Sequence, residues 1–362
     1  MPAGRGGATW FGLGWDAGPG SDGPGGPFRQ SERGEIYREY LGRLAETGHA
    51  YTCYRTDEEL RARREEQRRQ GLPPRYDRAW AELPQAEIVR RRESGQMPAI
   101  RFAAPATGEV AWDDLVRGPR TLPAAEISDF VLARSGGAAG FLFANAVDDA
   151  LMGVTHVLRG EDHLVNTARQ LAILAALELP PPRYGHMPLL AGPDGLKLSK
   201  RTGATSVGEF REAGVLPLAL ANTLARLGHP WEAQGLMSMQ ELATGFHPAQ
   251  LTTSAQRFDP AQVGHWQRLA LDALDAADLA RWAGAGAVAA VPAAQRAAFL
   301  AAVRHNVESP AEVAAWARIL FDAAELEPRP ETGAPPELFA AALAAFDAGA
   351  ADHKALAGPV KA

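Results

Sequence analysis

The sequence predicts an α/β protein in which a parallel sheet and a β-rich stretch precede an all-helical C-terminal region. Three observations predict it. First, an apolar strand-like run at 154–158, a helix-length segment at 166–179 and a second apolar run at 187–190 follow one another. The second run leads into Gly192-Pro193-Asp194-Gly195 and then Leu196-Lys197-Leu198-Ser199-Lys200-Arg201-Thr202-Gly203. A strand, helix, strand order ending in a phosphate-type loop suits a parallel sheet with its site at the strand carboxyl ends. Second, residues 99–150 hold short β-type runs separated by Gly and Pro. Third, the chain after Ser206 is alanine-rich with helical periodicity.

The elements follow in order. Residues 1–30 are rich in Gly and Pro, with Trp10, Phe11, Leu13 and Trp15 as apolar islands before a loop at 18–26. From Ser31, with Glu35 nearby, the spacing of Ile36, Tyr37, Tyr40, Leu41 and Leu44 predicts an amphipathic helix ending at Gly48. Residues 51–55 read as a short strand. Thr56-Asp57-Glu58-Glu59 caps a helix to about Gln70 that carries Arg61, Arg63, Arg64, Arg68 and Arg69, interleaved with Glu65 and Glu66. That helix is either a solvated, salt-bridged face or an RNA-backbone contact. Strands are expected at 99–102, 110–112, 130–133, 140–146, 154–158 and 187–190. The helix at 166–179 is stopped by Pro180-Pro181-Pro182. Further helices are expected near 207–228, 238–246, 260–271, 276–288, 292–305, 309–323 and 336–347, with a linker-like break at 328–336. No internal repeat is visible.

Composition narrows the function classes. A chain of 362 residues implies about two to four domains. A formal net charge of −6 does not advertise a nucleic-acid binder, although a local basic face would suffice. Cys53 is the single cysteine, so a disulfide framework or thiolate zinc cluster is impossible within one chain, and a reducing cytoplasm fits. The N-terminus shows no apolar core of a signal peptide, and the apolar runs are too short to span a membrane.

Lysine usage singles out one segment. The chain has only four lysines, Lys197, Lys200, Lys354 and Lys361, and two of them flank Ser199. A compact ammonium on a flexible stem grips phosphate as a point charge. Arg159-Gly160-Glu161-Asp162-His163 leaves a strand at the presumed sheet edge, where a guanidinium could clamp a carboxylate or simply pair with Asp162. Asn145, Asp148 and Asp149 are turn formers or substrate hydrogen-bonding groups. His163, His186 and His229 read as structural or supporting residues, since no HExxH and no tight Cys/His cluster occurs. No GxxxxGK[ST] and no convincing GxGxxG follows a strand.

Taken together these segments resemble the glutamyl-tRNA synthetases, class I aminoacyl-tRNA synthetases. Gly26-Pro27-Phe28-Arg29-Gln30-Ser31-Glu32-Arg33 with Glu35-Ile36-Tyr37 is similar to the family's PYRQSER…EIY stretch. Glu65-Glu66-Gln67 through Pro73-Pro74-Arg75-Tyr76-Asp77 resembles its connecting insertion. Residues 148–163, Asn166-Thr167 and Arg169-Gln170 resemble a family signature, and 197–201 resembles the class I KMSKS loop. Phe258-Asp259-Pro260 resembles the start of the anticodon-side region. The resemblance runs over roughly 9–362. It implies a Rossmann-like parallel sheet, incomplete at its N-terminus, with an α+β connective insertion and an all-α C-terminal region. The implied domains are 1–48 and 148–206 for the catalytic domain, 49–147 for the insertion, 207–265 for stem-contact helices and 266–362 for the anticodon-binding region. It further implies ATP-dependent activation of glutamate, with Mg2+, and transfer to the 3′ end of tRNA(Glu) by a cytoplasmic monomer. By family position, Lys197, Ser199 and Lys200 would be catalytic, with Lys197, Lys200 and His163 at ATP. Arg159, Asn145 and Phe141 would face glutamate, and Arg61, Arg64 and Arg68 would meet tRNA.

Four departures from the family pattern carry expectations. Neither a HIGH signature nor an RIEDTD-like stretch occurs. The expectation is a gene fragment or a start placed downstream, inactive as written, because the missing piece supplies the first strand and half of the ATP pocket. Phe141 stands where many relatives have a substrate-facing tyrosine. Cys53 alone cannot build the zinc knuckle of some relatives, so no zinc is expected. The stretch from His353 to Ala362 continues further in relatives. Two alternatives remain: a non-catalytic tRNA-binding remnant, and a glutamyl-queuosine tRNA(Asp) synthetase-like enzyme. The region after Arg201, which that enzyme type lacks, argues against the second.

Overall fold

The structure is a computed structural model and describes residues 3–20, 23, 25–76, 78–192, 195, 198 and 206–322. Two units emerge, one formed by Trp15–Leu189 with His247–Ser254, the other by Met1–Gly14, Leu190–Phe246 and Ala255–Ala362. Helix α1 (Ala3–Trp10) belongs to the second unit.

In the first unit, helix α2 (Gly34–Glu46) buries Tyr37 and Leu44. Strand β1 (Ala50–Cys53) leads to helix α3 (Asp57–Arg69), which starts at a capping box: Thr56 accepts from the Glu59 amide and Glu59 returns the bond. Two short helices, α4 (Arg78–Ala81) and α5 (Gln85–Glu93), precede β2 (Ala99–Phe102). Strands β3 (Glu109–Asp114) and β4 (Gly118–Pro123) pair as a hairpin with Asp114 opposite Gly118. After α6 (Ala124–Ile127), β5 (Phe130–Ala133) completes an antiparallel sheet of order β1-β2-β5.

Helix α7 (Phe141–Leu151) then leads to β6 (His156–Gly160), helix α8 (Leu164–Ala176) and β7 (Arg183–Met187). Strands β6 and β7 are parallel, and α8 is the crossover that parallel pairing requires. The register sets Arg159 opposite His186. The core of this unit packs Leu44, Phe102, Ile127, Leu132, Phe143 and Ile173. Each fully buried aliphatic or aromatic side chain contributes about 1.5–3 kcal/mol.

In the second unit, β8 (Leu190–Ala191) is followed by α9 (Val207–Glu212), α10 (Pro217–Ala225) and α11 (Met239–Gly245). Strand β9 (Gln256–Arg257) pairs with β8 in parallel. Four helices follow: α12 (Pro260–Asp272), α13 (Ala276–Ala287), α14 (Arg296–Val303) and α15 (Pro310–Phe321). Capping boxes at Ser206 and Ser238, and caps at Asp259, Asp275 and Ser309, satisfy first-turn amides. One core packs Leu271, Leu279, Phe299, Val303 and Val313. Another joins Trp10 and Phe11 to Phe210, Leu220 and Phe258. Among the described residues, no helix is long and apolar enough to cross a membrane.

The α/β class with a helical C-terminal region stands, and several local expectations are corrected. The strand expected at 140–146 is the start of α7: Phe143, Ala144, Ala146 and Val147 are all buried, and a short run apolar on every side carries no period. The strand expected at 187–190 divides between β7 and β8. The helix expected over 207–228 breaks after Ala213, and Pro217 opens α10 at its first turn. Ser31 does not cap α2 but lies in a 3-10 turn before it. Helices α1, α4 and α5 were hidden among Gly, Pro and Arg. The helix expected at 336–347 lies outside the described residues.

Candidate active site

The residues that gather chemistry in the first unit converge on Arg159. It lies next to last in β6 and is half-buried. Its Nε donates to His186 Nε2 at 3.3 Å, its Nη2 donates to Thr167 Oγ1, and its plane lies over the Tyr184 ring, 4.9 Å from the centroid. Burial lowers its pKa, with Tyr184, Asp149 and Asp114 opposing, yet an arginine stays charged. The anticipated surface pair with Asp162 is therefore not what holds it.

His186 is fully buried and links Arg159 to the hairpin. Its Nδ1–H donates to Asp114 Oδ2. Asp114 Oδ1 also accepts from the amides of Val116, Arg117 and His186 at 3.0–3.1 Å. Burial pushes the Asp114 carboxyl upward, but the hydrogen bonds from His186 and the backbone prevail and hold it below the usual value. For His186, burial and the nearby Arg159 and Arg117 outweigh the pull of Asp114, so its pKa is lowered and the imidazole is neutral. The contact is thus a hydrogen bond to a neutral ring. Nε2 is then an acceptor, taking the Thr167 hydroxyl at 2.8 Å as well as Arg159. Arg117 extends the network, donating to the His186 carbonyl at 3.1 Å and pairing with Glu161. Glu161 in turn accepts from the Leu189 amide at 3.2 Å. Gly160 allows this loop to close, because a Cβ there would sit 2.6 Å from Asp162 Oδ1.

The two adjacent aspartates of α7 have opposite environments. Asp148 is held by Arg33 Nε at 2.6 Å, the Tyr37 hydroxyl at 2.7 Å and Gln30 at 3.3 Å. Arg33 is itself buried and donates to the carbonyls of Gly25 and Pro27. Asp148 is therefore a structural tie. Asp149 faces the Arg159 side. Burial pushes its carboxyl up to about 6 against the pull of Arg159, and its Oδ2 is buried without a hydrogen-bond partner. Asn145 donates to Asp149 Oδ1 at 3.5 Å and accepts from Gln170 at 2.6 Å. Gln170 Oε1 and the Tyr184 hydroxyl are likewise buried and unpartnered, and burial pushes Tyr184 up to about 12. Buried polar atoms are normally satisfied, so this cluster offers unmet hydrogen-bonding capacity around a cation.

The other expected residues are placed as follows. Phe141 is 56% exposed, its ring 6.1 Å from that of His163. His163 Nδ1 accepts from Asn166 at 2.9 Å. Arg61, Arg64 and Arg68 are all exposed on α3, at spacings of three and four that align them on one face. None of the three has a carboxylate partner among the described residues, whereas Arg69 pairs with Glu66. Lys197, Ser199 and Lys200 lie outside the described residues. Beside them, the Leu198 amide donates to the Leu190 carbonyl at 3.0 Å, and Leu198 packs beside Leu220 and Phe258. Cys53 is buried and receives the Tyr76 hydroxyl at 3.2 Å. Sequence reasoning missed Asp114, Thr167, Gln170 and Tyr184. Asp114 and His186 are 72 residues apart, and no local pattern joins them.

With this geometry in place, comparisons with known proteins identify the relatives. Residues 6–264 match the family described as tRNA synthetases class I (E and Q), catalytic domain. A glutamate–tRNA ligase of Alkalilimnicola ehrlichii is 48% identical over 359 residues, 97% of this chain and 75% of the relative. A glutamate–tRNA ligase of Coxiella burnetii is 46% identical over 312 residues, 86% of this chain and 67% of the relative. Among solved structures, the glutamate-tRNA synthetase of Elizabethkingia anophelis superposes with a TM-score of 0.81 at 26% identity, over 89% of this chain and 72% of that one. The glutamate tRNA ligase of Elizabethkingia meningosepticum, in complex with its amino acid, gives 0.80 at 26% identity, over 89% and 71%.

Proposed function

The chain belongs to the class I tRNA synthetases for glutamate and glutamine, and on that premise we propose how its own residues serve the reaction. Its function is that of a glutamate–tRNA ligase. The observation that carries the residue assignment is the half-buried Arg159, held by His186, Thr167 and Tyr184 amid unpartnered polar atoms. A fixed guanidinium of this kind matches a carboxylate in two-point fashion and loses little freedom on binding. Arg159 binds a glutamate carboxylate, and Asn145, with its amide donors, and Phe141 line the same pocket. Asp149 and the Tyr184 hydroxyl supply acceptors for the substrate ammonium.

ATP and Mg2+ enter as substrate. The glutamate carboxylate attacks the α-phosphate, pyrophosphate leaves, and the acyl group passes to a ribose hydroxyl of tRNA(Glu) with release of AMP. Charge builds on phosphate oxygens during the first step, and positioned cations lower that barrier. Lys197 and Lys200 supply those cations, Ser199 shapes the loop around the phosphates, and His163 lies beside the nucleotide. Arg61, Arg64 and Arg68 meet the tRNA backbone. The catalytic domain comprises 1–48 and 148–206 and the insertion 49–147. Helices at 207–265 contact the stem, those of 266–362 meet the anticodon side, and the protein works as a cytoplasmic monomer.

The test is glutamate binding by calorimetry and glutamate charging of total tRNA, comparing the parent with Arg159→Ala. The variant is expected to lose glutamate affinity and charging together. Parental affinity for glutamate in Arg159→Ala would remove Arg159 from the pocket. Charging with another amino acid, and not glutamate, would remove the substrate reading.

A further inference from the structure

Away from Arg159, one cavity combines burial with uncompensated charge. A cleft of about 780 Å3 opens in the first unit between the start of α3, β2 and β5. Arg55, Arg101 and Arg134 line it, with the hydroxyl-bearing Thr56 and Ser135. Asp57, exposed, is the one carboxylate on the lining among the described residues. Arg101 is only 4% exposed. Among the described residues it has neither a carboxylate nor a hydrogen-bond acceptor. Its close partner is the Tyr76 ring, 3.8 Å from the guanidinium carbon, and its Nε is buried and unpaired. Arg55 is tied to Glu59 at 3.0 Å and to the Trp80 carbonyl at 2.8 Å, but its Nε is also buried and unpaired.

A cation over an aromatic face recovers only part of the cost of withdrawing a charge from water. The remainder calls for an anion in the cleft. We propose that this cleft is a binding site for a phosphate monoester of mononucleotide size. Planar guanidinium forks match phosphate oxygens, and the volume lies within the range of small-molecule pockets. Leu60, Met97 and Val131 give it an apolar wall for the rest of the ligand. The depth of Arg101 selects the form of phosphate. A terminal group on a free molecule reaches a buried floor, whereas a phosphodiester within a strand is held off by its neighbours. A monoester also carries the greater charge, suiting Arg101 and Arg134, which have no carboxylate partner among the described residues, whereas Arg55 is paired with Glu59.

The site lies apart from Arg159, and its test reads binding alone, so the result stands independently of the catalytic assignment. Cytidine 5′-monophosphate is titrated into the full chain by calorimetry, with cytidine as the control for the phosphate. The monophosphate is expected to bind and cytidine not to bind. Arg134→Ala, at the exposed rim, weakens the monophosphate at least about tenfold, the value of one hydrogen bond to a charged group. Arg101→Met abolishes binding and melts no lower than the parent, because an uncompensated buried charge is gone. If Arg101→Met does not fold, Arg134→Ala still decides. No heat with the monophosphate overturns the proposal, as does equal binding by the parent and Arg134→Ala. So does a short RNA lacking terminal phosphates that binds in an arginine-dependent way while the monophosphate does not.

Discussion

Replacing Asp114 with Asn probes whether the buried connection from Asp114 through His186 to Arg159 sets glutamate affinity. Asn preserves volume, and its oxygen still accepts the three amide bonds that Asp114 Oδ1 now receives. Its NH2, however, faces the His186 Nδ1–H that the carboxylate now accepts. The imidazole answers by moving its proton to Nε2, which then confronts the Nε–H of Arg159 across 3.3 Å. Two donors oppose each other, and the guanidinium loses its anchor on the ring. A hydrogen bond involving a charged group contributes about 1.5–3 kcal/mol. At 1.4 kcal/mol per factor of ten, glutamate binding weakens roughly tenfold to a hundredfold. The assay is the glutamate Kd by calorimetry, together with KM and kcat in glutamate-dependent ATP–pyrophosphate exchange. KM should carry most of the change. Protonating His186 has the same effect on Nε2, so parental affinity should hold through the ordinary histidine range and fall only on stronger acidification, toward the lowered pKa of the folded ring. The sign for stability agrees. The folded pKa of His186 is lowered, so its contribution is present above the unfolded value and is lost as pH falls toward the folded one. Thr167→Ser retains the hydroxyl and should behave as the parent, whereas Thr167→Val should resemble Asp114→Asn. A variant Asp114→Asn that melts earlier but binds glutamate as the parent does would refute the connection and leave Asp114 a purely structural residue.

Asp149→Asn should stabilise the fold at neutral pH by roughly 1–2 kcal/mol, since a carboxyl raised to about 6 loses stability as pH rises from the unfolded value through 6, and partial exposure screens part of that cost. Urea unfolding at pH 5 and pH 8 measures it, and an equal effect at both would refute the cause given. Glu59 is held at about 2, from an ordinary 4.5, chiefly by Arg91, with burial opposing and Thr56 and Arg55 assisting. Its contribution is present above the unfolded value and is lost as pH falls toward 2, so Glu59→Gln should flatten the acid limb of the melting temperature against pH. Removing Arg61, Arg64 and Arg68 should reduce the salt slope of tRNA binding by about 0.7–0.9 for each phosphate no longer neutralised, with glutamate affinity unchanged. An unaltered slope would leave α3 a solvated face.

Legibility in the sequence followed the range of the interaction. The capping box at Thr56 is complete within four residues, and the structure forms it as read. The strand and helix around Arg159 are local too and formed as β6 and α8, but the partner strand β7 lies at Arg183–Met187, before the run at 187–190 from which it was expected. The opening of α7 misled because Phe141, Leu142, Phe143, Ala144, Ala146 and Val147 are all apolar, so the sequence hides the period although only one face is buried and Phe141 is exposed. The partners of Arg159 were illegible for another reason. His186 reaches it by strand register, Thr167 by a turn of α8, and Asp114 from a hairpin far upstream. Asp148 and Asp149 are identical in sequence terms, and the path of Arg33 makes the first a tie, while the second keeps one oxygen without a hydrogen-bond partner.

That path has a consequence for the order of assembly during synthesis. Arg33 meets Asp148 across 115 residues, and Asp114 meets His186 across 72. As the chain leaves the ribosome, the carboxylate of each pair or its partner waits, hydrated, for the other to be made. Separations of this length slow folding, because a large loop must close before the contact rewards it. The final polar surroundings of Arg159 therefore cannot form until β7 has emerged. Until then the nascent chain presents charged groups, rather than bare apolar surface, where the site will close, which disfavours premature collapse there.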